Sequence, residues 1–130
     1  MKITNGKIIM AIGVIHTLFG ISPIAFGRKF ADFSGRFFFK ISGGVFELPL
    51  LGGTPDYETF AAFWYFYFGL LLFPLGLLLD HVESDQSAVP KKFIILYAAV
   101  VLIGVYMLPF SGVTVFMLPH AVYMLIKFRK

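Results

Sequence analysis

Two histidines, His16 and His120, are the residues of this chain best suited to chemistry, because each lies inside a long apolar segment. An ionisable side chain in such a segment is costly to bury and usually has a partner and a function. His16 lies about 13 Å along a helix from Lys7, and His120 about 10 Å from Lys127, at 1.5 Å per residue. If both basic ends lie at the same membrane face, the two imidazoles have nearly the same depth. We therefore expect each histidine to be the partner of the other.

Three interpretations of the histidine pair are open. The two imidazoles could contact a lipophilic ligand or substrate among the helices, or they could ligate a haem iron or another metal. They could also be structural, each donating to a backbone carbonyl of a facing helix. Pro119 makes the structural role easy for His120, because a proline leaves a carbonyl one turn earlier without its donor. No CxxCH or HExxH motif supports the metal alternative, in which His16 and His120 would be the ligands.

Three further side chains are candidates for the same ligand site. Glu47 is an acid within an apolar run, and beside the histidines it could transfer protons to an apolar substrate. The alternative for Glu47 is an ion pair with Arg36 or Lys40. Thr17 adjoins the first histidine, and Tyr123 lies one turn beyond the second. A binding role is favoured over catalysis, and whether the chain is an enzyme stays open.

The histidines lie in two of four predicted transmembrane helices. Apolar residues make up 58 % of the chain and charged residues 14 %, whereas soluble proteins contain about 25 % charged residues. The excess of apolar residues is concentrated in long runs, which is typical of membrane spans. The predicted spans are residues 8–26, 60–79, 93–110 and 113–126. We therefore predict an all-α integral membrane protein, a four-transmembrane-helix bundle that forms a single domain over residues 1–130.

A stripe of small residues indicates which face of the first span packs inwards. Gly13, Thr17 and Gly20 follow one another at i, i+4 and i+7, and His16 lies beside them. Small side chains let a neighbouring helix approach closely. We expect this stripe, and His16 with it, to face the other helices.

The segment between the first two spans, residues 28–55, is predicted to lie at the membrane surface. Phe30, Phe33 and Phe37 share one helical face and are surrounded by basic residues, as in an amphipathic helix in the headgroup region. Residues 43–55 are apolar but too short to span and are broken by glycines and prolines, so we predict a re-entrant or interfacial segment. The polar residues 80–92 are predicted to form a solvated loop.

The distribution of charge predicts the orientation and limits the partners. Seven of the eleven Lys and Arg residues lie on the side of the two termini, which predicts that both termini are cytoplasmic. The net charge of +4 does not indicate nucleic-acid binding, because the basic residues lie at the ends of apolar runs. The absence of cysteine excludes disulfides, thiol catalysis and cysteine-ligated metals. The predicted partners are the lipid bilayer and a lipophilic small molecule. The sequence leaves open whether the chain forms a homo-oligomer.

The pattern Gly13-x-x-His16-Thr17-x-Phe19-Gly20 resembles that of small bacterial four-span membrane proteins grouped only as a domain of unknown function. This resemblance implies a protein of the bacterial cytoplasmic membrane and implies no activity. A looser likeness is to DoxX-like proteins, which are also small four-span bundles and are associated with redox or quinone-linked partners. No motif diagnostic of DoxX-like proteins is present.

Overall fold

The computed structural model describes residues 3–37, 57–85 and 88–128. These residues form five α-helices and one π-helical turn and contain no strand, which confirms the all-α prediction. The helices are α1 (Asn5–Gly20), α2 (Gly27–Phe37), α3 (Tyr57–Ser84), α4 (Lys91–Met107) and α5 (Leu118–Phe128), and the π-helical turn, Val113–Met117, leads directly into α5.

One helix in the described part of the chain, α3, is both long and apolar enough to cross a membrane, where the sequence predicted four spans. Helix α1 is apolar but has 16 residues, and α4 has 17. The predicted first span, residues 8–26, is interrupted because α1 ends at Gly20 and the chain then forms turns. Pro23 explains this end, since proline disfavours helical backbone in the residue before it.

Helix α3 extends five residues into the segment that the sequence predicted to be a loop. The polar segment predicted to begin at Asp80 is helical up to Ser84. The helix contains Pro74 in its interior, a position at which proline removes one backbone hydrogen bond.

The predicted surface segment is described only in part. Helix α2 covers its beginning, and the side chain of Phe30 packs against Phe66 with ring centroids 4.6 Å apart. The predicted re-entrant residues 43–55 lie outside the described residues, and so does Glu47.

The chain divides into two compact units. The first unit comprises Met1–Gly13 and Leu72–Lys130, and the second comprises Val14–Leu71. The core of the first unit is built from one buried stripe on each of its helices, with spacings of three, four and seven residues that are typical of an α-helical face. These core residues are Ile9, Ile12, Leu72, Leu79, Ile94, Tyr97, Ala98, Val101, Ala121 and Met124.

In the first unit, two glycines allow the backbones of α1 and α3 to touch. A Cβ atom on Gly6 would collide with the backbone nitrogen of Asp80 and the carbonyl oxygen of Gly76. A Cβ on Gly76 would lie 2.7 Å from the carbonyl oxygen of Gly6. Only glycine fits where two helix backbones approach this closely.

In the second unit, Thr17 and Gly20 of the small-residue stripe pack against α3, as the sequence indicated. A Cβ on Gly20 would lie 2.6 Å from Cδ1 of Tyr65. A Cβ on Gly69 would collide with the hydroxyl of Thr17 and lie 3.2 Å from Cδ2 of His16. The close approach therefore brings the ring of His16 against α3.

Candidate functional site

His120 is buried in the first unit, with 4 % of its surface exposed. It is the third residue of α5, directly after Pro119 and the π-helical turn. Local widening of a helix often accompanies a proline, because proline cannot donate the expected backbone hydrogen bond. The buried residues Ala121 and Met124 continue the same inward face, so the side chain of His120 points into the core of the unit.

The partner of His120 is a phenol. The hydroxyl of Tyr97 on α4 forms a 3.0 Å hydrogen bond with Nδ1, and the two rings meet edge to face with centroids 5.5 Å apart. Tyr97 is itself buried and stacks on Phe93. The imidazole is therefore held at one nitrogen and oriented by a rigid aromatic neighbour.

The second ring nitrogen of His120, Nε2, is buried and has no hydrogen-bond partner among the residues that the structure describes. A buried polar group without a partner costs about 1–3 kcal/mol of stability. Such groups are rare in native proteins, and each requires a physical explanation. The geometry therefore marks Nε2 as a position at which another molecule can form a hydrogen bond.

A group of polar residues, which we call the α1 cap, lies at the start of α1 in the same unit. Asn5 Nδ2 donates to Glu83 Oε1 over 2.5 Å, and the backbone N–H of Gly6 donates to Glu83 Oε2 over 3.2 Å. The hydroxyl of Thr4 donates to a carboxylate oxygen of Asp80. The two acids near the end of α3 thus accept hydrogen bonds from donors at the start of α1 and lie at the positive end of its helix dipole.

Within the described ranges, the side-chain oxygen of Asn5 is buried without a hydrogen-bond partner. This cap was not predicted from the sequence. The signal available was Thr4-Asn5 directly before an apolar run, which is typical of a helix start, but nothing in the sequence indicates that Asp80 and Glu83 are its partners.

His16 lies in the second unit and has a different partner. Its Nε2 donates to the backbone carbonyl of Tyr65 over 3.0 Å, and its ring stacks on the Tyr65 ring at 3.9 Å between centroids. Phe68 contacts the same imidazole edge to face. A hydrogen bond to a carbonyl of a facing helix is the arrangement expected if His16 is structural.

Two other predicted site residues lie in the described part of the chain, one in each unit. Thr17 packs against Gly69 in the second unit. Tyr123 is about half exposed, and Nζ of Lys127 lies 5.6 Å from the centre of its ring. Each of the two histidines has a hydrogen-bond partner within its own unit. The predicted pairing of His16 with His120 stays a prediction.

A metal site receives no support from the described residues, among which no three His, Asp or Glu side chains are grouped to hold an ion. Haem ligation by His16 and His120 would need only two side chains and stays a prediction.

Comparison with known proteins identifies the family of this chain and nothing more specific. No curated protein and no solved structure matches the chain, and no finding supports the DoxX-like resemblance. A family model matches residues 1–130. The chain therefore belongs, over its whole length, to the family of unknown function DUF6463.

Proposed function

We propose that this chain is a multi-pass integral protein of the bacterial cytoplasmic membrane that binds a small lipophilic molecule at His120. In this proposal α1, α3, α4 and the final helix cross the membrane, α2 lies at its surface and both termini are cytoplasmic. The observation that carries the binding role is Nε2 of His120, which is buried and has no hydrogen-bond partner among the described residues.

The outward faces of the helices support the membrane location. Helix α4 buries one stripe in the core, yet its opposite face is also apolar and more than half exposed: Ile95, Leu96, Val100, Leu102 and Ile103. A helix that is apolar all round needs an apolar environment on every side. Large exposed apolar surfaces mark membrane or protein contacts.

The short helices are compatible with crossing. At 1.5 Å per residue, the 16 residues of α1 and the 17 of α4 cover about 24–26 Å. This is a few ångströms less than the roughly 30 Å hydrocarbon core, and a bilayer adapts to a short span by local thinning. Lys7, Lys91 and Lys127 lie at helix ends that this topology places on one side, the cytoplasmic one.

The topology can be tested by labelling, because the chain contains no cysteine. Ile24→Cys, between α1 and α2, and Ala88→Cys, before α4, introduce single thiols at exposed positions. A membrane-impermeant maleimide applied to intact bacterial spheroplasts should label Ile24→Cys and should label Ala88→Cys only after lysis. Equal labelling of both variants before lysis would contradict the four-span topology.

The binding role is tested by what the protein retains when it is extracted into native-lipid nanodiscs. We expect a molecule to co-purify with the wild type and to be reduced at least tenfold in His120→Phe, as measured by mass spectrometry. His81→Phe is the matched control, because His81 is mostly exposed. If no molecule is enriched, or if His120→Phe retains as much as the wild type, the proposal is wrong. An absorption spectrum with a Soret band would identify the haem alternative in the same sample.

A further inference from the structure

We infer that Nε2 of His120 acts as a hydrogen-bond donor, and that the molecule it holds presents a carbonyl oxygen within an otherwise apolar body. This inference rests on the proposed binding role and narrows it to one class of ligand. It follows from counting the donors and acceptors of the buried Tyr97–His120 pair.

A neutral imidazole has one donor nitrogen and one acceptor nitrogen, and a tyrosine hydroxyl has one donor hydrogen. If Tyr97 donates to Nδ1 of His120, the ring proton lies on Nε2. The pair then leaves a single donor unpaired, the N–H at Nε2. The oxygen of Tyr97 keeps its lone pairs, and an unused acceptor lone pair is less costly than an unused donor.

The opposite arrangement leaves more polar groups unpaired. If Nδ1 donates to the oxygen of Tyr97, both the hydroxyl hydrogen of Tyr97 and the lone pair of Nε2 lack partners. Within the described part of the chain, the recorded hydrogen-bond partner of the Tyr97 hydroxyl is Nδ1 of His120. Burial makes each additional unpaired group costly, so the first arrangement is favoured. If the imidazole were protonated instead, Nε2 would again be a donor.

A donor at Nε2 requires an acceptor on the ligand. Around His120 the core is formed by apolar side chains such as Ile94, Ala121 and Met124, which suit a lipophilic body. A carbonyl oxygen brings no donor of its own and accepts a hydrogen bond more strongly than an ether oxygen, so it is the acceptor that we infer for such a molecule. Metal ligation through Nε2 would need its lone pair, and Nδ1 would then have to donate. The Tyr97–His120 pair thus disfavours haem iron at this nitrogen.

The proton position can be measured directly. The chain has three histidines, so ¹⁵N-histidine labelling in lipid bilayers gives few signals, and those of His120 are assigned by their loss in His120→Phe. We expect Nδ1 to be unprotonated and Nε2 to be protonated. In Tyr97→Phe the preference should be lost, whereas Tyr106→Phe, at an 89 % exposed position, should leave it unchanged. A protonated Nδ1 with an unprotonated Nε2 in the wild type would overturn the inference, whatever the retention experiment shows.

The ligand class is tested with two probes, tridecan-2-one and tridecane, which differ only in the carbonyl group. Adding tridecan-2-one should shift the Nε2 signal of His120, and its affinity should fall about tenfold in His120→Phe. Tridecane should cause no shift. If Nε2 is protonated but neither probe shifts it, the acceptor is an internal water and the inference of a carbonyl ligand is wrong. If both probes bind equally well to the wild type and to His120→Phe, the carbonyl is not recognised at this nitrogen and the inference is also overturned.

Discussion

The two histidines that look equivalent in the sequence are held in different ways. His16 donates to a main-chain carbonyl and lies flat against a tyrosine ring in the second unit. His120 is bound through Nδ1 to a tyrosine hydroxyl in the first unit, and its Nε2 is buried and has no partner in the described part of the chain.

The difference shows how the partner decides what a buried histidine can do. A backbone carbonyl is only an acceptor, so it holds the donor nitrogen of His16 and joins α1 to α3. A hydroxyl can donate or accept, so Tyr97 can orient His120 and also select which nitrogen carries the proton. The first arrangement links two helices through a main-chain acceptor, and the second leaves Nε2 of His120 without a partner in the described part of the chain, the nitrogen at which we propose ligand binding.

The largest expected effect concerns the packing of the unit that holds His120. Gly6→Ala places a methyl group against backbone atoms of Asp80 and Gly76, which cannot rotate away. We expect a loss of about 3 kcal/mol in the free energy of unfolding, which is the upper end of the range that is typical of overpacked cores. Gly69→Ala in the second unit collides mainly with the hydroxyl of Thr17, which can rotate, and should cost about 1 kcal/mol.

Thermal unfolding in detergent, followed by circular dichroism, measures both variants. Gly35→Ala is the control, because no described atom lies within 4 Å of the added methyl group, and alanine stabilises a helix by up to about 1 kcal/mol relative to glycine. Equal stability of Gly6→Ala and Gly35→Ala would show that the α1–α3 contact is not as close as described.

Removing the carboxylate of the α1 cap should have the next largest effect. Glu83→Ala leaves the buried Nδ2 of Asn5 and the N–H of Gly6 without their acceptor. Hydrogen bonds to charged groups contribute about 1.5–3 kcal/mol, so we expect a loss of about 2 kcal/mol of unfolding free energy. Chemical denaturation measures it. Asp85→Ala, which removes a mostly exposed carboxylate nearby, should change stability by less than about 0.5 kcal/mol. Similar losses in both variants would argue against a specific cap.

Replacing His16 tests the comparison between the two histidines directly. His16→Phe keeps a ring against Tyr65 and removes the hydrogen bond to its carbonyl, so we expect a loss of about 1 kcal/mol. Ligand retention and the ¹⁵N signals of His120 should be unchanged. If His16→Phe abolishes retention as fully as His120→Phe, the two histidines act on one ligand and the contrast drawn between them is wrong.

The smallest effect is expected for the ion pair between α2 and α3. Glu58→Gln removes the ion pair with Lys29 of α2, and both side chains are substantially exposed. Exposed ion pairs contribute about 0–1 kcal/mol and are screened by salt. We expect a loss below about 0.5 kcal/mol that disappears in 1 M salt. A salt-independent loss above 1 kcal/mol would show that this pair is shielded from water.

Much of the local structure could be predicted from particular residues. The apolar runs predicted helices because their length and composition leave few alternatives. The spacing of Thr17 and Gly20 predicted a face that a neighbouring helix can approach. Pro119 was predicted only to leave a backbone carbonyl one turn earlier without its donor, and the π-helical turn before it was not predicted. Conversely, the length of the apolar run predicted that the first helix ends at residue 26, whereas α1 ends at Gly20. The backbone restriction imposed by Pro23 was the better guide to this end.

Residue types and their order along the chain are enough to predict a helical, apolar protein with two histidines inside its apolar segments. The atoms that these histidines contact follow from the packing of the helices, because hydrogen-bond partners such as Tyr65 and Tyr97 lie 49 and 23 residues away along the chain. The same reason applies to α3, whose last turn carries the acids that cap the start of α1. The donors and acceptors of a side chain follow from its residue type, whereas the partners they bind depend on how helices that are distant in sequence pack together.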